Sequence, residues 1–149
     1  MQNSAPNVQD IQVQGNIWGN SYEISHPGGV IQLKAAVLIE NTSFQWSGDT
    51  FHVRRSGPLS LVLRRAEEDL ARSTVNHRER TVELRFKDRF IILQREKQRY
   101  GSPIRLIENH VQIGTFGPRR RFNRAFAASM PADVPIPVQI FAIYLVAVS

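Results

Sequence analysis

Apolar and polar residues alternate along most of this chain, and near the C-terminus the alternation stops. Upstream the period is two residues. Ile11 with Val13, Tyr22 with Ile24, and Ile31 with Leu33 each mark one face of an extended segment. Phe44 with Trp46, Phe51 with Val53, Leu59 with Leu61 and Leu63, and Val82 with Leu84 and Phe86 repeat the pattern. Such alternation predicts half-buried β-strands. Ile17 and Trp18 extend the first apolar stretch, and Ala35–Ile39 suits either a strand or a helical turn. Turn residues punctuate the segments: Pro27-Gly28-Gly29, Gly48-Asp49, Ser56-Gly57-Pro58, Lys87-Asp88-Arg89, Glu108-Asn109-His110 and Gly117-Pro118. Residues 66–76 lack clear alternation and read as a loop or a single helical turn. About ten short strands at roughly 8–12-residue spacing predict an antiparallel sandwich or barrel.

From Val138 to Val148 the chain is apolar on every side, with Gln139 and Tyr144 as the interruptions. A helix of this kind must be buried in protein or lipid. Pro135 and Pro137 precede it, where a first helical turn tolerates proline. Asp133 stands where an N-cap would. The predicted helix lies within residues 135–148 and has about twelve residues, roughly 18 Å at about 1.5 Å per residue. A bilayer span needs about 20 apolar residues. The length therefore suits a protein interior better than a membrane, with a C-terminal anchor as the rival reading.

At 149 residues and 42% hydrophobic content, the chain is long enough for one domain with a proper core. Residues 1–10 read as a disordered leader and residues 11–149 as a single domain. The first residues carry no basic and apolar signal pattern, and there is no cysteine. A cytoplasmic location is the expectation. Net charge is +6. Of the 19 basic residues, 18 fall between Arg54 and Arg124, against eight acids in that segment, which makes it +10. This asymmetry points to a polyanionic partner, or to an exterior that pairs its own charges.

Candidate chemistry is correspondingly narrow. His26, His52, His77 and His110 are scattered, with no metal-binding spacing. No nucleophile elbow or phosphate loop is present, and Glu67-Glu68-Asp69 reads as a solvated acidic run. No catalytic residue, metal site or cofactor is expected. The candidates for anion binding are Arg54 and Arg55, Arg64 and Arg65, and Arg119, Arg120, Arg121 and Arg124. Guanidinium groups match phosphate geometry. Neighbouring arginines in a strand point to opposite faces, so one of each pair should lie outside or at a rim. Phe122 and Phe126, beside the last cluster, are expected in the core.

The segment Glu108–Phe116, with Ile113-Gly114, leads to Met130–Pro137 and the apolar Val138–Val148. This resembles the tubby-like C-terminal superfamily, which includes phospholipid scramblases and the LURP-one-related proteins. The general pattern runs from Ile17 to Val148, and the detailed likeness begins at Glu108. The resemblance implies a mainly β fold, a closed antiparallel β-barrel of ten to twelve short strands around a buried hydrophobic C-terminal helix. Ala142 and Ala147 would then allow close approach, with Phe141, Ile143 and Leu145 filling gaps. The resemblance also implies a non-enzymatic module that binds anionic phospholipid or phosphoinositide, at the periphery of a membrane. The chain has neither the cysteine-rich segment nor the Asp-x-Asp loop of scramblases, so it looks nearer to the LURP-one-related group. Nucleic-acid binding, or a protein-interaction scaffold without a small ligand, is the alternative use of the same basic surface.

Overall fold

The structure is a computed structural model, and it describes residues 8–15, 21–34, 42–96, 102–117 and 125–147. Twelve antiparallel strands and one helix follow in chain order. They are β1 (Val8–Gly15), β2 (Ser21–His26), β3 (Gly29–Lys34), β4 (Thr42–Trp46), β5 (Asp49–Gly57) and β6 (Ser60–Arg65). Then come β7 (Glu68–Asn76), β8 (Thr81–Phe86), β9 (Arg89–Arg95), β10 (Ile104–Glu108), β11 (Val111–Phe116), β12 (Phe126–Pro131) and α1 (Ile136–Ala147). The hydrogen-bonded order is β3-β2-β1-β12-β11-β10-β9-β8-β7-β6-β5-β4. β1 and β12 join the two ends of the chain, while β3 and β4 are the two edges and run beside each other. The sheet is thus a nearly closed barrel.

The predicted architecture therefore holds, with three local corrections. β1 begins at Val8, so residues 8–10 of the expected leader are sheet, paired with Pro131, Met130 and Ser129. Residues 68–76, expected to be loop or helical turn, form β7. Its inward positions are the small Ala71 and the polar Ser73, and a register shift at Leu70 interrupts the alternation. Both features hide a strand from a period-two reading. Asp133 is no N-cap. The Pro135 carbonyl accepts from Val138 N at 2.9 Å and Gln139 N at 3.0 Å, and Asp133 pairs with Arg89 at 3.3 Å. Ile17, Trp18 and the segment 35–39 lie outside the described residues, as does the side chain of Ala147.

The strand pairing assigns the two ends of the barrel different roles. The two-residue turns 27–28, 47–48, 66–67, 87–88 and 109–110 all lie at the end where β12 hands over to the helix. Asn109 and His110 both take positive φ, 52° and 66°, as do Ser47 and Gly48, 54° and 83°. That conformation matches the right-handed twist of the paired strands. The helix then passes through the barrel, and Leu145 and Val146 reach the far end beside Val75, Val82 and Ile104. Ile140, Phe141, Ala142 and Ile143 are fully buried, and Val138, Tyr144, Leu145 and Val146 nearly so. They meet Ile11, Ile24, Leu33, Val53, Leu63, Leu84, Ile91, Leu106 and Phe116 from the strands in one core. Phe126 joins that core as expected; Phe122 lies outside the described residues. No helix is long and apolar enough to cross a membrane among the described residues.

Two polar fixtures set the position of the helix. Gln139 is fully buried. Its Oε1 lies 3.0 Å from His26 Nε2, and its Nε2 donates to Val134 O at 2.9 Å, Gln9 Oε1 at 3.0 Å and Pro131 O at 3.2 Å. His26 Nδ1 accepts from Gly28 N at 3.1 Å, so the proton sits on Nε2 and donates to Gln139. The second fixture is Arg89. It donates through Nε and Nη2 to both oxygens of Glu108, at 2.9 and 2.8 Å, and reaches Asp133 through Nη1. The hydrogen bonds to Glu108 hold its guanidinium well above its usual pKa, against partial burial and with help from Asp133. Three segments meet there: β9, the end of β10 and the entry to α1.

Gly114 explains one glycine in the sequence. It faces inward opposite Leu106, and a Cβ there would run into the Ser129 carbonyl oxygen. Three outcomes follow for stability. Removing residues 138–149 should leave a chain with no cooperative thermal transition, since the barrel loses its filling; a truncated form with a sharp calorimetric melt would refute this. Gly114→Ala should cost about 1–3 kcal/mol in urea unfolding, because backbone must move to admit the methyl. Gln139→Leu should cost about 1–3 kcal/mol despite its similar size, because the His26 N–H and the Val134 carbonyl lose the side chain that pairs with them. Chemical denaturation of each variant gives the number directly.

Candidate anion-binding site

The four described candidate arginines lie on two neighbouring strands, and the pairing separates their roles. Arg54 sits on β5 between the inward Val53 and Arg55, and it points outward and is exposed. Arg55 follows it where the β5–β6 register shifts. Its Nε donates to Gly57 O at 3.1 Å and its Nη2 to Pro58 O at 3.0 Å, so it braces its own turn. Arg64 Nε lies 2.8 Å from Asp69 Oδ1, off the hydrogen-bond axis, and its Nη2 donates to Glu67 O at 3.1 Å. Arg65 pairs with Glu68 at 3.4 Å and Asp49 at 3.7 Å. Arg64 and Arg65 are therefore neutralised by acids on the same side of the barrel. Arg119, Arg120, Arg121 and Arg124 lie outside the described residues.

Unlike Arg64 and Arg65, Arg54 pairs with no acid among the described residues. It borders a cleft of about 260 Å³ lined by Thr42, Ser43, His52, Val53 and Arg54. The register explains why these side chains meet. Ser43 on β4 lies directly opposite His52 on β5, and Thr42 opposite Val53. His52 and Arg54 are two residues apart, so both project from the outer face. The hairpin forms because Phe44 and Phe51 face inward, opposite each other, with rings stacked at 5.3 Å. Inward packing of that pair forces Ser43, His52 and Arg54 outward. The cleft thus offers a hydroxyl, an imidazole and a fork of guanidinium donors on one short stretch of wall.

The basic surface continues sideways from Arg54. Across the exterior, Arg54 is paired with Val62, Val62 with Arg72, and Arg72 with Arg85. Val62 faces outward yet is only 5% exposed and lies outside the core cluster. The aliphatic stems of the arginines on either side supply its cover. Arg72 and Arg85 stand directly opposite each other, and like charges so placed repel. The compensation is incomplete. Arg72 reaches Asp69 at 3.7 Å and donates to Ser56 Oγ at 3.2 Å. Arg85 reaches Glu83 at 4.0 Å and lies over the Phe90 ring at 4.3 Å. Both remain about half exposed or more, at 49% and 62%. Exposed pairs of that length contribute about 0–1 kcal/mol, so the row keeps its positive field.

Sequence reading identified Arg54 and missed its partners. Looking for adjacent arginines favours local runs, whereas Arg72 and Arg85 are isolated in sequence and meet through strand pairing. His52 was visible as an outward residue alternating with Phe51 and Val53. Its relation to Ser43 needed the register of the β4–β5 hairpin. Of the other histidines, His26 serves the core network. Among the described residues no three His, Asp or Glu side chains form a group suited to a metal ion.

Hydroxyl, imidazole and guanidinium donors around a solvent-open cleft can hold phosphate or carboxylate oxygens. No protein-family model matches the chain, and comparison with curated proteins and with solved structures finds no match.

Proposed function

We propose that this protein is a non-enzymatic module that binds anionic phospholipid, turning the β4–β8 side of its barrel to a cytoplasmic membrane face. The observation that carries the reading is Arg54, an outward guanidinium with no acid partner among the described residues, set in a cleft with Ser43 and His52. The headgroup phosphate sits in that cleft, and Arg72 and Arg85 extend the attraction along the wall. The tubby-like resemblance, with its barrel around an apolar helix, supports the same reading. Within that resemblance the chain looks nearer to the LURP-one-related proteins than to the scramblases.

The electrostatics give a usable scale. Each arginine close to an anionic leaflet contributes about 1 kcal/mol. Three of them together contribute about 3 kcal/mol, a factor of roughly 100 in partitioning. The Debye length of about 8 Å at physiological salt leaves contacts at the surface intact and removes long-range attraction. Binding should therefore weaken with salt without vanishing.

Co-sedimentation with vesicles is the direct test. The protein should pellet with phosphatidylcholine vesicles carrying phosphatidylserine or a phosphoinositide, and remain in the supernatant with phosphatidylcholine alone. Arg54→Ala should reduce binding roughly fivefold, and the triple change at Arg54, Arg72 and Arg85 roughly 100-fold. Equal and negligible binding to both vesicle types would overturn the proposal. Steeply salt-dependent binding of an oligonucleotide, with none to vesicles, would assign the surface to nucleic acid instead.

A further inference from the structure

A second exterior feature lies on the other side of the barrel from the cleft. Phe90 and Ile92 on β9 and Ile107 on β10 are all half-buried. They face outward, since Ile91, Leu93 and Leu106 between them point into the core. None of the three packs against that core. Ile92 and Ile107 are directly opposite each other, and Phe90 lies two residues before Ile92 on the same face. The three form a continuous apolar strip across two strands. Single apolar residues on a surface need no explanation, but a contiguous patch does.

An arginine stands at each end of the strip. Arg85 lies over the Phe90 ring at 4.3 Å. At the other end Arg105, two residues before Ile107, lies between Gln94 and Thr115. Its Nε is buried with no hydrogen-bond partner, and it faces no acid among the described residues. That Nε is out of reach from outside, but Arg105 is only half-buried, and its unopposed charge attracts an anionic group brought to the surface beside it. Glu83, opposite Ile92, is already engaged by Arg85 and Asn76.

The geometry excludes two kinds of occupant. β9 is paired with β8 and β10, and β10 with β9 and β11. No strand edge is free there, so an extended peptide cannot add by backbone hydrogen bonds. A flat bilayer seated on the cleft is also excluded as the occupant. Five strand steps of the twelve separate β4–β5 from β9–β10, about 150° of arc around a closed barrel. The strip then faces away from the cleft, with Arg85 at the border between the two surfaces.

From this placement we infer that the β9–β10 exterior is a docking face for an acidic amphipathic helix of a protein partner. Its apolar residues pack on Phe90, Ile92 and Ile107, and its flanking carboxylates meet Arg85 and Arg105. Two strands and two residues of rise give a strip of about 10 Å. That length fits two turns of helix at roughly 5.4 Å each. The apolar face of such a helix repeats at three- and four-residue spacing. Phe90, Ile92, Ile107 and Arg105 take no part in the lipid cleft, and Arg85 is the one residue that the two surfaces share.

The test uses a synthetic helical peptide with leucines along one face and glutamates on both flanks, against the same peptide with lysines. In amide NMR spectra of the full chain, the glutamate peptide should shift Phe90, Ile92, Arg105 and Ile107 and leave Ser43, His52 and Arg54 unmoved. It should bind at least about tenfold tighter than the lysine peptide. The double variant Ile92→Thr, Ile107→Thr keeps β-branched residues on the strands. It should lose about tenfold or more in peptide affinity, with its melt and vesicle sedimentation unchanged. Arg105→Gln should weaken the glutamate peptide alone. The inference is overturned by the absence of saturable binding, by shifts confined to the cleft, or by equal affinity for both peptides. Loss of vesicle binding in the double variant would also overturn it, placing the strip on the membrane.

Discussion

The fold depends on burying one apolar helix inside a barrel. A barrel of eight strands is narrow enough for side chains to fill its interior, and wider barrels need something more. Twelve strands leave that larger interior here. A helix about 10–12 Å across, with its side chains, is a suitable filling. It satisfies its own backbone hydrogen bonds, so it brings few unpaired polar groups into a dry space. Ala142 at the middle, fully buried, sets no bulk between helix and wall, while Phe141 and Ile143 on either side supply it. The inward faces of the strands and the apolar residues of the helix from Val138 to Val146 therefore form a single core rather than two layers.

Such a core is nearly featureless in polarity, and apolar contact alone does not fix how far a helix slides or turns. Gln139 provides that information. It gathers β1 through Gln9, β2 through His26 and the helix entry through Pro131 and Val134. His26 also touches Trp46 edge-on at 5.8 Å. Trp46 lies against Gly28, where a Cβ would come within 2.7 Å of its ring. The helix position is thus connected to the side of the barrel where β3 and β4 meet. Arg89 fixes the opposite side of the same end by joining Glu108 and Asp133. The tight turns and polar fixtures share one end.

The exterior is where charge has been sorted. Strand pairing places some arginines next to acids, as with Arg64 and Asp69, and others next to each other, as with Arg72 and Arg85. The same +10 segment therefore contains a paired patch and an incompletely compensated row. The row adjoins the Ser43–His52–Arg54 cleft on one flank and the Phe90–Ile92–Ile107 strip on the other. A convex barrel cannot present both flanks to one flat surface. The two flanks therefore face different directions.

The sequence by itself determined the architecture. Period-two alternation marked most strands, and the apolar tail marked a helix that had to be buried, because both signals are local and repeat over many residues. It also showed where charge was concentrated. It misread β7, because Ala71 and Ser73 occupy inward positions and Leu70 breaks the alternation. It misread Asp133, whose partner Arg89 is distant along the chain. Arg54 was legible as a candidate, but not its separation from Arg55, Arg64 and Arg65. Only the tertiary structure decided that, because the neighbours of an outward side chain come from other strands. Register alone determines whether an arginine meets an acid, another arginine or an open cleft.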